Sequence, residues 1–210
     1  MAMSSGNSLG RTTHGNLQKH QSQNRLQRLL IDRFHKRIAA LIQQSGAHTV
    51  LDSGCGEGFL LLHLQQEGMS PNYFGADISP EALLWARENI SEALPVSVSN
   101  IHNLPYGDNA FPLVLCLEVL EHIPDSAVGL RELARVSSEY LILSVPHEPF
   151  FRGANFLRGK HLSQWGNDPE HLHNYSGRAF RRMVEGVVDI VWHGYVFPWQ
   201  IALARKRITE

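Results

Sequence analysis

Apolar residues recur every three or four positions over residues 22–44, which is the period of a helix that buries one face. The positions concerned are Leu26, Leu30, Phe34, Ile38 and Leu41. Basic side chains occupy the opposite face of the same segment, a distribution typical of a solvated helix surface. The pattern therefore predicts one amphipathic helix before the first strand.

Short apolar runs then alternate with helical patterns as far as residue 146. Strands are predicted over HTVLDSG, NYFGADIS, PVSVSNI, FPLVLCLEVL and EYLILSVP, and helices over FLLLHLQQEG, SPEALLWARENI and DSAVGLRELARVS. Ser79 before Pro80 is a helix-start signal, and Asp125 is expected to cap the third of these helices. Strands separated by helices favour an α/β fold with a Rossmann-like, doubly wound and mostly parallel sheet.

The pattern changes after Pro146. Residues 147–175 are polar, aromatic and irregular, and they are too long for a simple connector, so we interpret them as a substrate-side insert. Ser176 is expected to cap a helix over GRAFRRMVEG, and VDIVWHGYV and WQIALARKRI are predicted to form a closing antiparallel pair at the sheet edge. The sequence thus predicts a flexible segment at 1–21 and a single domain over 22–210.

Composition indicates the cellular compartment of the protein and restricts its possible partners. A chain of 210 residues suits one domain, and a formal charge of −1 gives no global field that would gather nucleic acid. The two cysteines lie inside separate apolar segments, which fits a reducing compartment and a cytoplasmic protein. No apolar run reaches the roughly 20 residues that a membrane helix requires, so stable membrane insertion is not expected.

The stretch VLDSGCGEGF places Gly54, Gly56 and Gly58 at a bend between a strand and a helix. Glycine tolerates backbone angles that other residues resist and removes the Cβ that would bar a ligand, so a ligand here is expected to touch main chain. A helix starting near Glu57 would direct its free amides at that ligand. Asp77 ends the next strand, where a carboxylate accepts ribose hydroxyls. These features predict a nucleoside-containing cofactor.

Two residues argue against a dinucleotide as that cofactor. The G-x-G-x-x-G fingerprint requires a glycine where this chain has Phe59, and the Glu57 carboxylate would repel a pyrophosphate. A cationic sulfonium with an ammonium group would tolerate that carboxylate. A nicotinamide-dependent oxidoreductase on a similar sheet nevertheless remains an alternative at this stage.

Several spaced motifs resemble those of the class I S-adenosylmethionine-dependent methyltransferases, in particular the small-molecule methyltransferase-11-like family. VLDSGCGEGF is similar to the first motif, YFGADISPEALLWARENI to the second, and NIHNLPYGDNAFPLVLCLEVLEHIPD to the third and fourth strands. The resemblance implies methyl transfer from S-adenosyl-L-methionine to a small-molecule, lipid-linked or sugar-linked acceptor by in-line displacement. It also implies an N-terminal helical lid, expected from the polar segment before Leu26.

The resemblance further implies which residues hold the cofactor. The residues expected to do so are Asp52, Gly54, Cys55, Gly56 and Gly58 at the methionine part, Asp77 at the ribose, Ile78, Asn100 and Ile101 at the adenine, and Leu117, Glu118 and His122 at the methyl end. Cys55 is interpreted as a small packing residue rather than a nucleophile.

The chain departs from the family pattern at two places. Asn100 stands where aspartate is common, and Pro112 follows Phe111 where an aspartate usually follows the aromatic residue. An asparagine oxygen accepts a hydrogen bond without contributing charge. The fourth strand is expected to begin with a different shape because of the proline.

Acceptor-side residues are predicted from their place in the chain. His147 and Glu148 follow the fifth strand directly, at the rim where an acceptor must lie, and we predict a catalytic role because histidine suits proton transfer. Trp165, His171, His173 and Tyr175 are predicted to form an acceptor-binding wall. No metal is predicted, because the H-x-H spacing lacks cysteine or a clear carboxylate partner.

Two further readings stay open. A non-catalytic S-adenosylmethionine-binding protein would keep the fold without methylating anything, and Asn100 and Pro112 leave room for it. A nucleic-acid methyltransferase is disfavoured, because the chain reads LEVL where such enzymes carry an N-P-P-Y-like tetrad. The acceptor, its reacting atom and the oligomeric state are not decided by the sequence.

Overall fold

The computed structural model describes residues 24–147 and 172–207, and these build around one sheet. Its strands are β1 (Thr49–Ser53), β2 (Asn72–Asp77), β3 (Val96–Val98), β4 (Phe111–Leu117), β5 (Ser137–Pro146), β6 (Asp189–Val196) and β7 (Trp199–Arg205). They form a seven-stranded sheet in the order β3-β2-β1-β4-β5-β7-β6. Strand β7 is antiparallel to both of its neighbours, and the other pairings are parallel. The predicted sheet type and the closing antiparallel pair are confirmed.

Helices cover both faces of this sheet. They are α1 (Arg25–Ser45), α2 (Phe59–Gln66), α3 (Pro80–Asn89), α4 (Ser126–Val136) and α5 (Gly177–Glu185). On one face, Ile38 of α1 packs with Leu115 of β4, whereas Val114 of β4 packs on the other face with Leu133 of α4 and Phe180 of α5. Successive residues of a strand point to opposite faces, so β4 must be apolar throughout to serve both cores.

The predicted helix starts are confirmed at Ser79, Asp125 and Ser176. The side chain of each accepts a main-chain amide from the first turn of its helix. Helix α2 begins at Phe59, where the predicted helix FLLLHLQQEG begins. The residue before it, Gly58, is in the left-handed conformation (φ +75°) and ends the bend.

The start of β4 is irregular, as the proline predicted. The pairing register shifts between Phe111 and Leu113, where β5 carries one extra residue opposite Pro112. Proline has no amide to donate to a strand ladder and is therefore tolerated at such positions.

The parallel strands end at one edge of the sheet, which holds the residues singled out from the sequence. Neighbouring strands lie about 4.8 Å apart, so loops that follow adjacent strands are close in space. Residues 1–21, to which the lid was assigned, lie outside the described part of the chain, and α1 packs on the sheet. Within 24–147 and 172–207, every helix is too short or too polar to cross a membrane.

Candidate active site

The glycine bend after β1 adopts a conformation that requires glycine. Gly54, Gly56 and Gly58 all have positive φ, at +88°, +51° and +75°. The amide of Gly54 donates to the carbonyl of Ala76 at 2.6 Å, which draws the bend onto the end of β2. A Cβ at Gly54 would collide with the side chain of Val119, so the bend also presses on the turn after β4.

Asp77 links the bend to the second strand. Its Oδ2 accepts from the amide of Gly56 at 2.8 Å, and its Oδ1 accepts from the amide of Ser79 at 2.9 Å. The carboxylate therefore fixes both the bend and the start of α3. This places an acidic group beside main-chain atoms that carry no side chain, the arrangement predicted for the ribose end of a nucleoside.

Asp52 lies beneath the bend and is 3% exposed. Burial raises the pKa of its carboxyl to about 7, and the nearby Asp77 acts in the same direction, whereas a hydrogen bond donated by the Tyr73 hydroxyl opposes the shift. A cation bound beside this carboxyl would favour its charged form. Asp52 therefore lies under the bend, and the ionisation of its carboxyl would respond to a bound cation.

Cys55 fills the space between the bend and β2. Its Sγ lies 2.8 Å from the position that a Cβ at Gly75 would take, so the thiol packs against the glycine. Burial, followed by the charges of Asp52 and Asp77, raises the pKa of the thiol far above its usual range. A thiol that stays protonated is a poor nucleophile, which agrees with its interpretation as a packing residue.

The residues predicted at the adenine differ in exposure. Ile78 is 70% exposed, and Val98 at the end of β3 is 60% exposed, so apolar surface is open beside Asp77. Asn100 is also exposed, but its Oδ1 accepts from the main-chain amide of His102 at 2.9 Å. Ile101 is buried in the core against Gly129. Any adenine contact of these last two residues stays a prediction.

The turn after β4 brings three predicted residues next to the glycine bend. Leu117 ends the strand, and Glu118 follows with a positive φ of +59°. The amide of Glu118 donates to the carbonyl of Ser144 at 3.1 Å, and its Oε1 accepts from the Ser144 hydroxyl at 2.9 Å. These bonds hold the strained residue in place. His122 lies further along the same turn and is exposed.

Two residues from the end of the predicted insert pack against that turn. The amides of Leu172 and His173 both donate to the carbonyl of Glu121, at 2.8 and 3.1 Å. The buried Tyr175 donates its hydroxyl to Ser126 Oγ at 2.7 Å. His173 and Tyr175 therefore lie beside the segment that carries Glu118 and His122, and their role in binding an acceptor stays a prediction.

His147 follows β5 at the same edge and belongs to a cluster of rings that sequence reasoning missed. Its ring centroid lies 4.6 Å from that of Tyr195, and His193 lies 5.2 Å from Tyr195 on the same strand. Burial lowers the pKa of His147. His193 and Tyr195 are two positions apart on a predicted strand, and this spacing was the signal from which their common face could have been predicted.

Three predicted site residues, Glu148, Trp165 and His171, lie outside the described residues. Over residues 24–147 and 172–207, no group of three or more His, Cys, Asp or Glu side chains is arranged to hold a metal ion. The described site is thus an acidic, main-chain-lined bend after β1, with the imidazole of His147 two strands away after β5.

The part of the chain that matches known proteins includes the glycine bend and Asp77. Residues 51–139 match the family model described as Methyltransferase domain. Norajmaline N-methyltransferase of Rauvolfia serpentina is 33% identical over 118 residues, which cover 52% of this chain and 40% of that protein. Ubiquinone biosynthesis O-methyltransferase of Methylococcus capsulatus is 31% identical over 160 residues, covering 58% of this chain and 65% of that protein. The chain spans less than two thirds of these relatives.

Solved structures share the fold at lower identity. Magnesium protoporphyrin IX methyltransferase from Synechocystis PCC 6803, crystallised with bound SAH, superimposes with a TM-score of 0.72 at 20% identity and covers 96% of both chains. The [4+2]-cyclase SpnF superimposes with a TM-score of 0.65 at 16% identity and covers 85% of this chain and 82% of that one. The same fold thus occurs in proteins named for different reactions.

Proposed function

We propose that this chain, which belongs to the class I S-adenosylmethionine-dependent methyltransferases, transfers a methyl group from S-adenosyl-L-methionine to a small-molecule acceptor. The main support is the contact between Asp77 and Gly56, which joins a carboxylate to a side-chain-free bend at the carboxyl ends of β1 and β2. Curated relatives named as an N-methyltransferase and as O-methyltransferases support the same reaction type.

The charges around the bend suit this cofactor. The charge of Asp77 raises the pKa of Asp52, and Asp77 itself contacts the amide of Gly56. Two carboxylates therefore lie beside the bend. S-adenosylmethionine has a cationic sulfonium and an ammonium group, whereas a dinucleotide would bring an anionic pyrophosphate to the same place.

Each residue then has a role that follows from its position. Asp77 binds the ribose hydroxyls, Ile78 covers one face of the adenine, and Glu118 with the main chain of the bend holds the methionine part. Asn100, Ile101, Leu117 and His122 remain proposed members of the same site. When bound, S-adenosylmethionine supplies an electrophilic methyl group whose departure leaves a neutral thioether.

The chain's own contribution to the reaction is positioning and proton removal. A good leaving group makes orientation of the acceptor the main demand on the protein. His147 lies at the end of β5, two strands from β1 in the sheet, and its lowered pKa keeps the imidazole neutral near pH 7. It accepts the proton of a hydroxyl or ammonium acceptor, with Glu148 as the second proposed catalytic residue. The proposed acceptor-binding wall consists of Trp165, His171, His173 and Tyr175.

The acceptor is proposed to be a metabolite, free or linked to a lipid or sugar, and the activity is proposed to be cytoplasmic. Cys55 and Cys116 are both free thiols, as expected in a reducing compartment. Neither nucleic acid nor a membrane is proposed as a partner.

Methyl-labelled S-adenosylmethionine tests the proposal. The purified protein is incubated with metabolite extracts, and the products are followed by mass spectrometry. We expect a labelled product heavier than its precursor by one methylene group, with S-adenosylhomocysteine formed in equal amount. Binding of the cofactor without its consumption in any extract would instead indicate a sensor. Conversion of an extract component without transfer of label would indicate another reaction on the same fold.

A further inference from the structure

A glutamine side chain in β7 is buried among apolar neighbours. Gln200 is 0% exposed, and Ile201, Ala202 and Leu203 after it are core residues. Its Nε2 donates to the carbonyl of Tyr175 at 2.9 Å and to the carbonyl of Pro146 at 3.3 Å. A buried amide nitrogen without partners would cost free energy, and these bonds satisfy it, whereas the Oε1 atom is buried without a hydrogen bond in the described part of the chain.

One of these bonds fixes the peptide group that leads into His147. The carbonyl of Pro146 accepts from Gln200, and the amide of His147, on the same peptide plane, donates to the carbonyl of Pro198 at 2.9 Å. Because the peptide group is planar, holding it at both ends fixes the Cα from which the imidazole projects. Both partners, Pro198 and Gln200, belong to the hairpin formed by β6 and β7.

The same hairpin also contacts the imidazole ring. Tyr195 meets His147 at an interplanar angle of 62°, in an edge-to-face arrangement. The Tyr195 hydroxyl extends over Gly177 at the start of α5, where a Cβ would collide with it. His193 also contacts Tyr195, and the charges of Arg181 and Glu185 of α5 act on His193. The ring of His147 thus lies against Tyr195, a side chain that is itself 57% exposed.

We propose that Gln200 is the positioning residue for His147, and that it acts together with Tyr195 of the same hairpin. This inference rests on the proposed function, because it assigns the geometry of the proton acceptor in that reaction. The O–H or N–H bond of the acceptor breaks, and its proton moves to the unprotonated ring nitrogen of His147. The electron pair of that bond stays on the acceptor atom, which then acts as the nucleophile.

A simpler role for Gln200 would be to anchor Tyr175 alone. Ser126→Ala distinguishes the two roles, because it removes the other hydrogen bond of Tyr175 without touching His147. Gln200→Met removes both donated bonds at similar volume, and Tyr195→Leu removes the ring. Gln200→Asn keeps an amide but is one methylene too short to reach both carbonyls, and it replaces Gln200→Met if that variant does not fold.

The readout is the pH titration of the His147 ring protons by NMR in the ligand-free protein, assigned by comparison with His147→Gln and His193→Gln. In Gln200→Met and Tyr195→Leu we expect the His147 pKa to shift upward, toward that of an exposed histidine, and its ring resonances to move. Ser126→Ala should leave both unchanged. Titration curves for the Gln200 variant that superimpose on wild type would overturn the proposal, as would an equal shift in Ser126→Ala.

Titration with S-adenosylhomocysteine on the same samples separates this inference from the proposed function. If the wild-type protein fails to bind S-adenosylhomocysteine, the proposed function is contradicted, and the NMR titration still tests the positioning role by itself. Binding by wild type and by the Gln200 variant, with no change in His147, would defeat the positioning role alone.

Discussion

The carboxylate of Asp77 accepts a hydrogen bond from the main-chain amide of Gly56 at 2.8 Å, across 21 positions of sequence. This bond joins the end of β2 to the bend after β1, and it places the Asp77 carboxylate beside main-chain atoms of glycine. Stability of the bend and affinity for the cofactor are therefore expected to depend on the same few atoms, which the following substitutions separate.

Gly54→Ala should destabilise the protein by about 2–4 kcal/mol, because a left-handed alanine is strained and its Cβ overlaps Val119. Gly68→Ala is the matched control. Gly68 has a similar φ of +74° but open space around its Cβ position, so about 1 kcal/mol is expected there. Urea unfolding measures both, and equal losses would contradict the close packing of the bend on the β4 turn.

Asp52→Asn should change how stability depends on pH. Between the unfolded pKa of 3.8 and the folded value of about 7, the folded wild type binds an extra proton. Its free energy of unfolding therefore falls as pH rises across this window and levels off above pH 7, a total change of about 4 kcal/mol. The amide variant lacks this term.

The difference between wild type and Asp52→Asn isolates that carboxyl from the histidines that titrate nearby. Urea unfolding at several pH values from 4.5 to 8 gives the two slopes. Parallel slopes would mean that Asp52 is already ionised in the folded protein, with its charge balanced by a group that the account omits.

Arg135→Ala should destabilise the protein by about 2 kcal/mol. The guanidinium donates to the carbonyls of Tyr106 and Leu104 and pairs with Glu132, so it fastens the segment after β3 to α4. Arg181→Ala removes an exposed pair with Glu185 on α5 and should cost no more than about 0.5 kcal/mol. Thermal unfolding compares them, and similar losses would show that the segment does not need this clamp.

Ile78→Ala should weaken S-adenosylhomocysteine binding by roughly fivefold, about 1 kcal/mol, with little change in melting temperature. Because Ile78 is 70% exposed, its side chain contributes little to the stability of the folded protein. A stacked adenine would cover this apolar surface, so the side chain would contribute to binding. Leu84→Ala on α3, at 57% exposure, is the control for a lost apolar group elsewhere. Equal affinities in the two variants would remove Ile78 from the site.

The sequence alone predicted the features that depend on residues close together in the chain. Caps at Ser79 and Asp125, the glycines of the bend and the continuous apolar runs each act through neighbours in the chain, and they led to the correct type of sheet. The irregular start of β4 at Pro112 was likewise predictable, because the missing amide of proline is a local property.

The remaining features depend on contacts between distant residues. The raised pKa of Asp52 follows from the burial of its carboxyl in the folded protein. Tyr195 and Gln200 reach His147 only because β7 inserts beside β5, which no local pattern records. Sequence reasoning therefore found the cofactor half of the site more completely than the acceptor half.

Isothermal titration of wild type and Asp77→Ala with S-adenosylmethionine, S-adenosylhomocysteine and NADH tests the central claim most directly. Asp189→Ala, an exposed aspartate paired with Arg207 at the opposite edge, is the control, and circular dichroism checks folding. We predict binding of the sulfonium pair, at least about 30-fold weaker in Asp77→Ala and unchanged in Asp189→Ala, since two charge-assisted hydrogen bonds are lost. Undiminished binding by Asp77→Ala, or binding of NADH in place of the pair, would contradict the account.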